Sequence, residues 1–175
     1  MEKEYDAVRI RNASSEDANQ LMQWWNDGRV MEHAGFPKGL GITEERICRQ
    51  LASDSDATGR HLIILYNKVP VGEMNYTHRD EKTCEIGIKI CNADYQNRGI
   101  GKICLSLLID SLFHDFGYQR ICLDTNLTNL RAQHVYEQLG FAKLRVNPDS
   151  WTDQLGNLQS SVDYELTEDH FRSFL

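Results

Sequence analysis

The chain has 175 residues, with 19 Lys or Arg and 26 Asp or Glu, so its formal net charge is -7. A chain of this length can bury one substantial core, and its composition indicates no second one, so we expect a single domain over residues 1–175. The acidic balance argues against nucleic acid as a partner and favours a cationic one. No apolar run is long enough to span a bilayer and the first residues do not form a signal segment, so no membrane partner is expected.

The cysteines and histidines indicate neither a metal site nor a disulfide framework. The five cysteines are odd in number, lack metal-ligand spacing and mostly lie within apolar strand or helix patterns: they are Cys48, Cys84, Cys91, Cys104 and Cys122. Such thiols are typical of buried, unpaired cysteines in a reducing compartment, so a cytoplasmic protein is expected. The six histidines show no metal-ligand pairing, and we predict no metal.

The first third of the chain predicts one strand and two helices. Residues 7–11 alternate between apolar and polar side chains, as in a strand. A helix is predicted from the acids that follow Ser14 to the sequence Asn26-Asp27-Gly28, which ends it. A glycine-rich loop over residues 35–41 leads to a second helix from Thr43. On physical grounds alone, this loop is only a connection between two helices.

The rest of the chain predicts a sheet with further helices. Three strands in succession, over residues 61–66, 69–77 and 83–90, indicate an antiparallel meander. The pattern then becomes helical over 100–116, extended over 120–125 and helical over 129–139, with final strands from Phe141 and over 160–166. The predicted fold is α+β (mixed α/β): a twisted, mostly antiparallel sheet of about seven strands with helices on both faces.

The stretch from Glu85 to Lys102 predicts an anion site. A strand enters the turn Gln96-Asn97-Arg98-Gly99-Ile100-Gly101, which opens a helix. Glycines let the backbone approach a ligand, and the first amides of a helix have no partner inside it, so they point at an anion. Arg98 and Lys102 add cations beside them. The same Gly-x-Gly pattern also fits a tight turn without a ligand, and neither the nucleotide P-loop nor the full dinucleotide fingerprint is present.

A second motif follows at the expected distance, in the sequence Asn129-x-x-Ala132-x-x-x-Tyr136-x-x-x-Gly140-Phe141. With both motifs in this order, the chain resembles the GNAT superfamily of acetyl-CoA-dependent N-acetyltransferases. Within it, the layout is similar to the ribosomal-protein N-terminal and spermidine acetyltransferases. The features shared with that branch are Trp25-Asn26-Asp27, Glu85-Ile86-Gly87 and Asp163-Tyr164-Glu165-Leu166.

The resemblance implies a sheet that splays between its fourth and fifth predicted strands, residues 83–90 and 120–125. Unpaired amides near Lys89 and Cys91 would then bind the acetyl oxygen and the pantetheine as if it were another strand. Asn129 would bind the pantetheine arm or cap its helix. The resemblance also places the first two helices and the loop between them over the acceptor site. The complete set expected to bind acetyl-CoA is Lys89, Ile90, Cys91, Gln96, Asn97, Arg98, Gly99, Ile100, Gly101, Lys102 and Asn129.

The resemblance also implies the catalytic groups for direct attack by a primary amine in a ternary complex. Glu85 is the expected base and Tyr136 the expected acid. Glu73 is a competing base, and a water chain is a further alternative. Without a functional role, Glu85 would be a solvated strand residue and Tyr136 an aromatic packed under its helix.

The acceptor is not identified by the sequence. A protein or peptide amino group, a polyamine and an aminoglycoside all suit an acidic protein. A coenzyme-A-binding module without turnover, or an enzyme that transfers another acyl group, are the alternative functions. An edge formed by residues 151–166 is the expected surface of a homodimer.

Overall fold

One eight-stranded sheet runs through the protein, and the computed structural model describes all residues, 1–175. The strand order is β1-β2-β3-β4-β5-β6-β8-β7. The strands are β1 Glu2–Tyr5, β2 Val8–Asn12, β3 Gly59–Tyr66, β4 Val69–Asp80, β5 Thr83–Ile90, β6 Arg120–Asn126, β7 Ala142–Thr152 and β8 Leu158–Thr167. The helices are α1 Ala18–Asn26, α2 Gly28–Met31, α3 Glu44–Ala52, α4 Ile100–His114 and α5 Leu130–Leu139.

Helices cover both faces of this sheet, as predicted. The apolar run in β3 serves both layers, because successive strand residues point to opposite faces. Leu62 and Ile64 belong to the larger core, which includes residues of α4 and α5. Ile63 and Leu65 belong to the smaller core, which includes residues of α1 and α3. None of the helices is both long and apolar enough to cross a membrane.

The pairing of β5 with β6 is parallel, whereas every other pairing in the sheet is antiparallel. It joins only Thr83, Cys84 and Glu85 to residues 120–122. Beyond Glu85 and its partner Cys122, the two strands diverge. The predicted splay is therefore present, and it separates β1–β5 from β6–β8 along one side of the sheet.

Two elements differ from the sequence expectation. β1 raises the strand count from about seven to eight and pairs with β2, but its exposed, charged sequence lacks the alternation that predicts a strand. Gly28 does not end the helical region; it begins the short helix α2, whose N-cap Asp27 accepts a hydrogen bond from the Arg29 amide at 2.9 Å. Gly28 is required there because a Cβ would lie 2.0 Å from the Pro37 carbonyl oxygen.

Candidate active site

The gap between β5 and β6 opens into a cleft of about 1280 Å³. Its walls are the diverging ends of the two strands, the turn that leads into α4, and the first two turns of α5. Residues 29–34 and Trp151 close it on the side that carries α1 and α3. The cleft therefore joins the two sequence motifs, which lie about thirty residues apart in the chain.

One end of the cleft is built for an anion. The backbone N–H groups of residues 97–101 donate to no acceptor within the protein. Asn97 and Gly99 have positive φ angles of 57° and 78°, which turn these amides toward a common side at the start of α4. A Cβ on Gly101 would meet no atom within 4 Å, so this turn has open space in front of it. Such an arrangement can hold a diphosphate.

The cations beside this turn are held by aromatic rings. The Lys102 ammonium lies 4.5 Å from the centroid of the Phe174 ring, and the Arg98 guanidinium lies 5.4 Å from that of Tyr95. Lys102 lines the cleft, whereas Arg98 does not.

Gln96 uses its side chain to brace the mouth of the cleft. Its Nε2 donates to the Ile90 carbonyl at 2.9 Å, at the end of β5. Its Oε1 accepts from Arg131 of α5 at 2.8 Å. The side chain thus ties the two walls together, which leaves the backbone of the turn to contact a ligand.

The backbone edge of β5 that faces the gap differs from the expected one. The Cys91 amide donates to the Val71 carbonyl at 2.9 Å, so the prediction that it is unpaired is wrong. The carbonyl groups of Lys82 and Ile90 point toward β6, where they accept hydrogen bonds from the Arg120 amide and the Gln96 side chain. The backbone N–H and C=O groups of successive strand residues point to opposite edges of the strand. Those of Ile86 and Ile88 therefore also point into the gap, and those of Lys89 point toward β4.

Tyr136 lies on α5 with its hydroxyl open to the cleft. The ring is 6% exposed and packs edge-to-face against Phe141 and Tyr164, with centroids 5.8 Å away in each case. Tyr136 lines the cleft, and its hydroxyl makes no hydrogen bond within the protein. Burial and the negative charge of Asp124 raise the pKa of Tyr136 to about 12. The phenol therefore keeps its proton at neutral pH and can donate it.

Both carboxylates expected as bases are paired with cations. Glu85 accepts from Arg79, with 3.0 Å between its Oε2 and the Arg79 Nε, and it does not line the cleft. Glu73 is only 4% exposed and lies 2.9 Å from the Lys89 ammonium. Lys89 itself lines the cleft, so this ion pair forms part of its wall.

Asp124, at the end of β6, lines the cleft and was not among the expected site residues. No side chain of the protein donates a hydrogen bond to its carboxylate or forms an ion pair with it. Asp124 is an exposed residue of β6, but the protein around it desolvates its carboxylate in part, and this desolvation, followed by the charges of Glu85 and Asp163, raises the pKa of Asp124. A polar residue at the carboxyl end of a parallel strand is the signal that could have identified it.

Asn129 caps α5, since its Oδ1 accepts from the Ala132 amide at 3.3 Å. It also lines the cleft, so a contact with a ligand remains compatible with the cap.

A clasp between the β7–β8 hairpin and the loop after α2 forms the outer wall of the cleft. Trp151 packs on Gly35, where a Cβ would lie 2.4 Å from the indole ring. The Gln154 side chain accepts from the Lys38 amide at 2.8 Å and donates to the Gly39 carbonyl at 3.0 Å. The loop that appeared in sequence as a connection is therefore fixed by contacts more than 100 residues away.

Comparison with known proteins identifies the family. Residues 7–142 match the model of the acetyltransferase (GNAT) domain. The chain is 25% identical over 154 residues to aminoglycoside N(6')-acetyltransferase type 1 of Klebsiella pneumoniae, covering 79% of this chain and 75% of the relative.

Solved structures share the fold. Spermidine N-acetyltransferase from Vibrio cholerae, in complex with CoA and spermine, superposes with a TM-score of 0.82 at 16% identity, over 94% of this chain and 97% of its own. Ribosomal-protein-S5-alanine acetyltransferase from Vibrio fischeri gives a TM-score of 0.82 at 17% identity, over 98% and 99% of the two chains. The chain thus belongs to the GNAT family of N-acetyltransferases, and acetyl-CoA is its cosubstrate.

Proposed function

We propose that this protein transfers the acetyl group of acetyl-CoA to a primary amine by direct attack within a ternary complex. The observation that carries this proposal is the gap between β5 and β6, which has free backbone amides at one end and the free Tyr136 hydroxyl in its wall. A thioester placed in this gap is reachable by an amine from the face that carries α1 and α3.

The coenzyme's phosphates suit the amides of residues 97–101, beside Lys102. Its pantetheine arm suits the free edge of β5 at Ile86 and Ile88, where backbone groups replace those of a missing strand. An amide of that edge would stabilise the negative charge that develops on the thioester oxygen.

Tyr136 serves in this proposal as the acid. As the amine nitrogen bonds to the carbonyl carbon, the carbon–sulfur bond breaks and the thiolate takes the phenolic proton. The raised pKa of Tyr136 keeps that proton in place until the thiolate forms. Glu85, the expected base, and Glu73 are each engaged with a cation, so either would have to exchange that cation for the acceptor.

The proposed acceptor is a cationic amine. Two observations support a cationic acceptor. The net charge is -7, and the carboxylates of Glu85, Asp124 and Asp163 lie close together on the face of the sheet that carries α1 and α3. The relatives named above act on an aminoglycoside, on spermidine and on a ribosomal protein. The panel of candidate acceptors therefore includes small polyamine-like compounds and a peptide with a free amino terminus.

The experiment is a thiol-release assay with acetyl-CoA and a panel of amines, with mass spectrometry of each product. We expect thiol release that depends on the amine, and a product that carries one acetyl group. A protein that binds coenzyme A but releases no thiol with any amine would be a binding module. A product with no added acetyl group would exclude this transfer.

We also propose a homodimer formed through the sheet edge. The expected edge over residues 151–166 is wrong for β8, which pairs with β6 on one side and with β7 on the other. The edge strand is β7, and Leu144, Val146 and the neighbouring Leu158 are 58%, 44% and 64% exposed. Light scattering at micromolar concentration is expected to give twice the mass of the 20.2 kDa chain. The mass of one chain would refute the dimer.

A further inference from the structure

A row of carboxylates crosses the sheet on the face that carries α1 and α3. Glu73 and Lys89 are cross-strand partners, Glu85 lies on the same side of β5 as Lys89, and Glu85 pairs with Cys122. Asp124 shares the face of Cys122, because the two are separated by one residue in β6, and Asp124 pairs with Asp163 of β8. Acidic side chains on β4, β5, β6 and β8 therefore point the same way.

Only Asp124 in this row lacks a positively charged partner. Glu73 is bound to Lys89 and Glu85 to Arg79. Asp163 accepts from Arg145 at 3.1 Å and from Asn147 at 2.9 Å. Asp124 is exposed in the cleft wall, so its carboxylate is accessible to a cationic ligand and does not first have to release a cation of the protein, as Glu73 and Glu85 would.

Asp124 also stands at the point where the cleft begins. It is two residues beyond Cys122, the last residue of β6 that pairs with β5. The residue at the corresponding position of β5 is Gly87, which has no side chain and also lines the cleft. The Asn75 side chain of β4 occupies the place of a Gly87 side chain, since a Cβ there would lie 2.5 Å from Asn75 Oδ1. Asp124 and Gly87 both line the cleft, and Tyr136 is close enough for the charge of Asp124 to raise its pKa.

We propose that Asp124 is the catalytic residue that binds the acceptor's ammonium group and takes its proton. This inference rests on the proposed function. The ammonium gives its first proton to Asp124, which passes it to solvent. The freed nitrogen lone pair forms the carbon–nitrogen bond, the carbon–sulfur bond breaks, and the thiolate takes the Tyr136 proton. The second proton then leaves the nitrogen and restores Tyr136.

The charges around Asp124 support this role. Those that face it from neighbouring elements are Glu85 of β5, Asp163 of β8, Arg79 of β4, Tyr136 of α5 and, from the turn after α2, Glu32 and His33. Arg79 and Arg145 are already held by Glu85 and Asp163, and two other cations of the cleft, Lys89 and Arg29, are held by Glu73 and Asp27. None of these cations neutralises Asp124, so its surroundings favour a cationic ligand. The raised pKa makes the carboxylate a better proton acceptor than a solvated aspartate.

Asp124→Asn tests the inference, with Glu85→Gln as the matched variant of the paired carboxylate. The wild-type enzyme is first assayed with the amine panel, so that a failure of the proposed function appears there and not in the variants. With an active amine, we expect Asp124→Asn to lower kcat/KM about 100-fold near pH 7. The deficit should shrink as the pH approaches the amine's own pKa of roughly 10, where the free amine needs no base.

Two further readouts exclude a structural cause. Because Asp124 has no partner and faces two negative charges, Asp124→Asn should have a Tm equal to or above that of the wild type. Its coenzyme A affinity should be unchanged, since the phosphate turn is intact. Glu85→Gln removes one of the charges that raise the pKa of Asp124 and releases Arg79, but it keeps the proposed base, so it should lower kcat/KM by far less than Asp124→Asn does. A large pH-dependent loss in Glu85→Gln with near-normal Asp124→Asn would overturn the inference, and so would a deficit in Asp124→Asn that stays constant with pH.

Discussion

The Tyr136 hydroxyl offers a sharp test of mechanism, because Tyr136→Phe removes one group that the fold does not use. The hydroxyl makes no hydrogen bond in the protein, while the ring packs on Phe141 and Tyr164. Replacement by Phe keeps these contacts, so the free energy of unfolding should change by no more than about 0.5 kcal/mol. Loss of the proton donor should lower kcat about 100-fold, which corresponds to about 2.7 kcal/mol of activation free energy.

Tyr164→Phe is the matched control for this variant. The Tyr164 hydroxyl donates to Glu137 Oε1 at 3.1 Å, and the ring is buried in the same cluster. Its loss should cost about 1 kcal/mol of stability and leave kcat unchanged. Urea unfolding gives the stabilities, and thiol release at saturating substrates gives kcat. Wild-type kcat in Tyr136→Phe, or equal losses of kcat in the two variants, would refute Tyr136 as the acid.

Three further changes probe other parts of the molecule. Gly101→Asp should leave the protein folded, because a side chain at this position has room. It should abolish the rise in Tm that coenzyme A produces, because the carboxylate repels the phosphates. If the rise in Tm is retained, the phosphates bind elsewhere. Gln154→Ala should raise the acceptor KM several-fold and leave coenzyme affinity unchanged, whereas an unaltered KM would separate the clasp from acceptor binding. Asp17→Asn should lower the free energy of unfolding by about 1–3 kcal/mol at pH 7, and in urea titrations this loss should shrink and disappear as the pH falls through the lowered pKa of Asp17.

The sign of the last prediction follows from the pKa of Asp17. Burial alone would raise this pKa, but hydrogen bonds from Arg11 and Ser14 outweigh burial and hold it below the ordinary value of 3.8. The ionised side chain therefore stabilises the folded state above that value. The contribution is lost as the pH falls through the lowered pKa, where the wild type is protonated and resembles the amide. If Asp17→Asn still lowers the free energy of unfolding at low pH, packing and not charge accounts for the stabilisation by Asp17.

The strand, turn and helix around Gly99 could be predicted because their signals are local, whereas the splay was expected only from the family resemblance. Gly99 needs a positive φ, and the helix that follows has apolar residues at helical spacing, so strand, turn and helix are all visible in one stretch of sequence. The strand over residues 61–66 is visible in the same way, because its continuous apolar run is typical of a strand buried on both faces.

The carboxylate that lacks a cation, Asp124, could not be identified in the same way. Whether a carboxylate is free depends on cations that reach it from other strands, and Arg79, Lys89 and Arg145 are brought to their partners only by the register of the sheet. The outer wall of the cleft could not be predicted for the same reason, because Gln154 contacts the loop after α2 only when the chain is folded. Side-chain pairing across long sequence separations has no local signature.

The fate of a labelled acetyl group tests the proposed reaction most directly. The protein is incubated with acetyl-CoA labelled in its acetyl carbons, with and without an active amine, and the label is located by mass spectrometry on coenzyme, protein and amine. Direct attack requires the label to move to the amine nitrogen, with one thiol released per acetyl group and no label on the protein when the amine is omitted. Label that stays on the coenzyme with every amine, or that accumulates on a protein side chain, would contradict the proposal.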